Sequence, residues 1–125
     1  MKNISTSQFE VKLQEQESDG SHVNEKVAYI AIEPGYGSMY GSLVEVGYTK
    51  NEVTDSWYTI SFKSLFTSNP GCFIGQIQTY DGGDPSELRR KNLDFSGVKV
   101  KIEEEQSYDS ETSHTTEKVG YMVIE

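Results

Sequence analysis

At 125 residues the chain is long enough for one domain with a buried core, or one domain with an added fragment, and its single cysteine, Cys72, excludes an internal disulfide. A net charge of −9 and a pI of about 4.7 argue against nucleic acid and anionic membranes, both of which demand clustered Lys and Arg, and leave cations or neutral ligands such as sugars. Eight tyrosines favour sheet over helix, and no apolar stretch has the length of a membrane span.

Residues 1–8 are polar, opening on Met1-Lys2-Asn3 rather than on a signal-peptide core. The chain is therefore expected to be an excised piece of a larger secreted protein with an added Met, or to have had its export signal removed, or to work inside a cell. Residues 9–33, FEVKLQEQESDGSHVNEKVAYIAIE, read as a β-hairpin: Phe9, Val11 and Leu13 alternate with polar residues on one leg, Val27, Tyr29 and Ala31 on the other. Glu33-Pro34-Gly35-Tyr36-Gly37-Ser38 is a turn or linker. Strands follow at 43–48, through Val44, Val46 and Tyr48, and at 57–62, joined by a polar connection at 50–56; Leu65 and Phe66 then plug one end of the core.

Asn69-Pro70-Gly71 signals a tight turn, and 72–80 is the most apolar strand, expected at the centre of a sheet. In Asp81-Gly82-Gly83-Asp84-Pro85-Ser86-Glu87 the order cap, proline and acid suggests one short helical turn, which gives Asp84 a structural reading. Arg89-Arg90-Lys91 is the basic cluster of an acidic chain, Leu93 and Phe95 form a short strand, and Gly97 bends the chain into a final hairpin. With no long amphipathic helix, the class is all-β, and six to eight short strands close naturally as an antiparallel β-sandwich.

That final segment, VKVKIEEEQSYDSETSHTTEKVGYMVIE, repeats the first hairpin. Aligning the histidines gives 114 − 22 = 92, and aligning Val98 with Phe9 gives 98 − 9 = 89, so the second copy has three extra loop residues. The period is that of a domain, which divides the chain into 1–35, the tail of a preceding repeat, and 36–125, the sandwich. If 98–125 is a hairpin pairing Val100 with Tyr121 and Ile102 with Val119, then Glu104 faces Glu117; in the first copy Glu15 faces Glu25. Like charges opposed on the core face are unfavourable and call for a positive partner. The candidates are a protonated His114 or His22, an arginine such as Arg89, and a divalent cation. Glu104, Asp109, Glu111 and Glu117 in the second copy, with Glu15, Asp19 and Glu25 in the first, would suit calcium, which takes six to eight oxygens. The alternative is that these acids are solvated loop residues.

From Trp57 onward the succession of the strand to Phe62, Phe66, Pro70, the strand to Thr79-Tyr80, DGGDP, Arg89, Asn92 and the acidic HTTEKVGY hairpin resembles H-type lectin domains and the lectin-like repeats of large secreted bacterial proteins. The resemblance covers about residues 40–125. It implies a six-stranded antiparallel sandwich, no catalysis, an extracellular or cell-surface location, and binding of galactose or N-acetylgalactosamine at loops near a trimer interface. On that resemblance Asp84 and Arg89 would bind sugar hydroxyls, Tyr80 would stack on a pyranose face, and His114 would take the place of the ligand histidine in the last hairpin. Thr115-Thr116 follow that histidine, and the tryptophan is at Trp57. The partners expected are a glycan or neighbouring copies of the chain, in a trimer or a head-to-tail polymer joined through the duplicated hairpin, with no nucleic acid and no membrane insertion.

A carboxylate pair for glycoside hydrolysis fits poorly, because directly opposed cross-strand residues lie too close for that chemistry. No nucleophile elbow, phosphate loop or CxxC motif is present.

Overall fold

A computed structural model describes residues 1–15, 22–63 and 66–125. Seven strands lie between residues 35 and 124: β1 (Gly35–Met39), β2 (Ser42–Tyr48), β3 (Tyr58–Ser61), β4 (Cys72–Ile77), β5 (Ser86–Asp94), β6 (Gly97–Glu104) and β7 (Val119–Ile124). They form two antiparallel sheets, one in the order β1-β2-β7-β4 and one in the order β3-β6-β5. The all-β expectation holds, and no helix occurs among the described residues.

The period-2 patterns at the end of the chain mark the core. Val98, Val100 and Ile102 of β6 and Val119, Tyr121 and Val123 of β7 are buried together with Val53, Ile60 and Phe66. Their arrangement differs from a hairpin. Val100 pairs with Tyr58 on one side and Arg90 on the other, whereas Tyr121 pairs with Gly47 and Gly75. β6 and β7 are thus interior strands of opposite sheets, and their apolar faces meet across the sandwich instead of along a ladder.

Several local expectations change with that topology. Strand 72–80 is shortened to β4, which pairs with β7 alone and forms a sheet edge. The Gly35–Met39 stretch expected as a linker is β1, an exposed edge strand that turns into β2 through Tyr40 and Gly41, both at positive φ. The helical turn expected near Asp84 is absent, because Ser86 already pairs with Glu104 at the start of β5. The basic cluster and Leu93 belong to the same strand, and the tight turn after it is held by Asp94 Oδ1, which accepts from Ser96 N at 2.7 Å and Gly97 N at 3.1 Å. In β2 the buried side chain is Glu45, not Val44 or Val46. Glu45 is satisfied there by the Tyr121 hydroxyl at 2.9 Å and Lys63 N at 2.8 Å, and Tyr121 closes over the bare Cα of Gly47. The polar connection 50–56 contributes Val53, fully buried and bridged to Glu117. Phe66 is a core residue as expected, and Leu65 lies outside the described residues.

The first copy is not a strand pair: among the described residues of 9–33 none belongs to a named strand, and Glu10 makes a single bridge to Lys2. Its legs still approach each other, with the rings of Phe9 and Tyr29 edge to face at 5.0 Å. Val11, Leu13, Val27, Tyr29, Ile30 and Ile32 are exposed. The reason is topological. The corresponding residues of the second copy are covered because β3 and β5 flank β6 while β2 and β4 flank β7, and 9–33 has no such neighbours.

Candidate functional site

Between the end of β6 and the start of β7, the 105–118 loop folds His114 inward, where its ring is 4% exposed and its two nitrogens meet two carboxylates. Nδ1 lies 2.7 Å from Glu104 Oε1 and Nε2 lies 3.2 Å from Glu117 Oε1. A carboxylate only accepts, so both contacts are hydrogen bonds when the ring carries a proton on each nitrogen, as the imidazolium does. Glu117 Oε1 also accepts from Asp81 N at 2.8 Å and Gly82 N at 3.0 Å. Gly82 is required at this point, because a Cβ there would overlap the imidazole ring. The DGGDP turn and the HTTEKVGY segment therefore meet at one buried charge cluster. His114 thus occupies the place between Glu104 and Glu117 where a positive partner was expected.

Burial pushes the Glu117 carboxyl up, but the Thr79 hydroxyl, the Gly82 and Asp81 N–H groups and His114 outweigh burial and hold it below the usual glutamate value of 4.5. A folded-state value below the unfolded one means that the unfolded chain takes up the proton more readily, so Glu117 stabilises the fold above about pH 4.5 and that contribution is lost as pH falls through the lowered value. Thermal melts should accordingly fall below about pH 4.5, less steeply in Glu117→Gln. A melting temperature unchanged down to pH 3 would contradict this assignment.

The first copy holds a looser version of the same cluster. His22 Nδ1 contacts Glu15 Oε1, and that hydrogen bond, opposed by partial burial and aided by the charges of Glu15 and Glu25, raises the His22 pKa. Asp19 lies outside the described residues. Asp109 and Glu111 are exposed in the 105–118 loop, where Asp109 Oδ1 accepts from Glu111 N at 2.9 Å, and the structure does not bring them to Glu104 and Glu117. Among the described residues no group of three His, Cys, Asp or Glu side chains is arranged to hold a metal.

Of the residues expected to bind sugar, Tyr80, Asp84 and His114 lie around the 81–85 turn, and Arg89 lies apart from them on β5. The His114 side chain is 1% exposed. Tyr80 donates to Gly83 O at 2.9 Å, accepts from Gln14 Nε2 at 3.0 Å, and carries Lys12 Nζ 5.7 Å from its ring centroid, so the first copy leans on this aromatic face. Asp84 is partly exposed in the turn beside it. Arg89 lies on β5, where it contacts Glu87 Oε1 and places Nε 3.2 Å from Glu103 Oε1. Glu87 and Glu103 are directly opposed in the β5–β6 ladder, so the arginine bridge foreseen for one carboxylate pair serves another. With its side chain about half exposed, Arg89→Ala should lower stability by less than about 1 kcal/mol in urea unfolding; a loss of about 3 kcal/mol would show that the pair is more deeply buried than its geometry indicates.

Sequence reasoning did not single out Val53 or Gly82 as parts of this region. Only the glycines of DGGDP carried a local signal, a turn that tolerates close approach.

Comparison with known proteins places the chain beside one very long relative. It is 31% identical over 124 residues to halomucin of Haloquadratum walsbyi (strain DSM 16790 / HBSQ001), an alignment covering 96% of this chain and 1% of halomucin. The chain thus spans about one hundredth of that protein's length. No family model matches, and no solved structure matches. None of the helices that would be needed to cross a membrane is found among the described residues.

Proposed function

We infer that this chain is a non-catalytic β-sandwich module of a long extracellular or cell-surface protein, with a structural, spacing role. The observation carrying this reading is that the similarity to halomucin runs through 96% of the chain, both copies of the duplicated segment included, while occupying 1% of the relative. The buried cluster fits a structural role: His114 hydrogen-bonds Glu104 and Glu117, and Glu117 Oε1 also accepts two backbone N–H groups while its Oε2 is buried without a partner among the described residues, with side-chain exposures of 7%, 1% and 2% that leave no approach for a substrate. The DGGDP and HTTEKVGY motifs behind the H-type-lectin resemblance are engaged in this cluster. Glycan binding, the competing reading, would have to use Tyr80 and Asp84 without His114 or Arg89. A glycan array probed with and without calcium should show no binding. Specific binding abolished by Tyr80→Ala would replace the structural reading with a lectin one.

A further inference from the structure

We propose that residues 9–33 are the closing β6–β7 pair of a neighbouring sandwich, docking into an upstream five-strand frame of the kind formed here by residues 36–97. The proposal rests on reading the chain as a repeat module and adds where one repeat is joined to the next. The correspondence is position by position. Val11, Leu13 and Glu15 stand for Val100, Ile102 and Glu104, and His22 and Glu25 for His114 and Glu117. Val27, Tyr29 and Ala31 stand for Val119, Tyr121 and Val123 on the core face, and Ile30 and Ile32 for Met122 and Ile124 on the outer face. Every group that the second copy uses to fill the core or to build the charge cluster has its counterpart in the first.

What the first copy lacks is the frame. In the second copy, β6 lies between β3 and β5 and β7 between β2 and β4, so the legs of 9–33 would enter opposite sheets and each would acquire hydrogen-bonding neighbours on both sides. Without them Tyr29 is 67% exposed, whereas Tyr121 is 9% exposed. The chain's own frame is occupied by its own β6 and β7 and offers no second place. The cluster of the first copy is likewise incomplete among the described residues: Glu15 holds His22, but no described residue of 9–33 offers Glu25 the backbone N–H groups that Asp81 and Gly82 give to Glu117. An upstream frame would bring its own turn to that position. The junction is then short, since β1 begins at Gly35, directly after Pro34. Successive sandwiches would follow one another almost without linker, which makes a stiff array.

Two replacements from residue 9 onward add bulk, and one is Phe9, which stands where the buried Val98 is. Ala28 stands where Gly120 is, and a Cβ at Gly120 would overlap the Gln78 amide, the movable end of a flexible side chain.

The test is a tandem polypeptide in which residues 36–97 are placed directly ahead of residues 9–125, restoring the spacing in which residue 97 precedes the β6 position. Amide hydrogen exchange at 11–14 and 27–32 should slow by about a hundredfold or more relative to the 125-residue chain. Tyr29→Ala should abolish that protection in the tandem and leave the melt of the 125-residue chain unchanged. The tandem is also made with Phe9→Val and Ala28→Gly together to remove the two added contacts. Exchange as fast in both tandems as in the 125-residue chain would overturn the proposal. So would protection of 27–32 in the unfused chain that rises with protein concentration, because the occupant would then be a second copy. Neither result bears on the glycan array, so a failure here and a failure of the structural reading remain distinct.

Discussion

His114→Ala should destabilise the protein by about 3 to 5 kcal/mol in urea or thermal unfolding, the cost of removing one member of a buried charge group and leaving its partners unpaired. The ring lies between Glu104 and Glu117, whose side chains are 7% and 2% exposed. Removing it leaves two buried carboxylates without the group that separates them, and Asp81 N and Gly82 N serve Glu117 alone. His114→Gln should lose nearly as much, since an amide offers a donor to one carboxylate at a time and no charge to either. The corresponding change in the first copy, His22→Ala, should have little effect, because that cluster lies at the surface. A loss below about 1 kcal/mol for His114→Ala would mean that one of the two glutamates is neutral in the folded protein and that the cluster is not a charge bridge.

Ile102→Ala should cost about 2 to 5 kcal/mol, because Ile102 is fully buried in the centre of β6 and its removal leaves a cavity between the sheets. Leu13→Ala, the equivalent change in the first copy, should stay within about 0.5 kcal/mol, because Leu13 is 42% exposed and has no frame to pack against. The pair is a direct comparison of one sequence position in two environments. Equal losses would show that 9–33 already contributes to the core of the 125-residue chain and would contradict the open arrangement of its legs.

Acid sensitivity and these substitutions address the same physical point, that the interior is assembled from apolar strands closed at one end by a charge cluster. The cluster lies where β6 ends, where Val53 bridges to Glu117 and where the DGGDP turn packs, so it ties together two sheets and two loops. A buried ion group is weak evidence for large net stability, but it disfavours any register that leaves one of its members alone.

Which residues are buried was readable from the chain, because a strand exposes alternate side chains to one face, and Val98, Val100, Ile102, Val119, Tyr121 and Val123 keep that alternation without interruption. So was the need for a positive group near Glu104 and Glu117, since two carboxylates on the extension of a core face require one. What alternation cannot express is the partner of each strand. Two apolar faces meet either as neighbours in one sheet or as opposite walls of a sandwich, and the same residues come together in both. The choice was made by β2, β3, β4 and β5, which flank β6 and β7 through contacts distant in sequence. The inward face of β2 was decided the same way: Val44 and Val46 have the apolar pattern, yet Glu45 points inward because the Tyr121 hydroxyl and Lys63 N reach it there. Which group lies between Glu104 and Glu117 was tertiary as well, for Gly82 lets the DGGDP turn close on the imidazole, and no spacing in the sequence joins residues 82 and 114. The duplication was plain in the sequence, but that only one copy forms strands follows from the presence of one frame, a property of the folded chain as a whole.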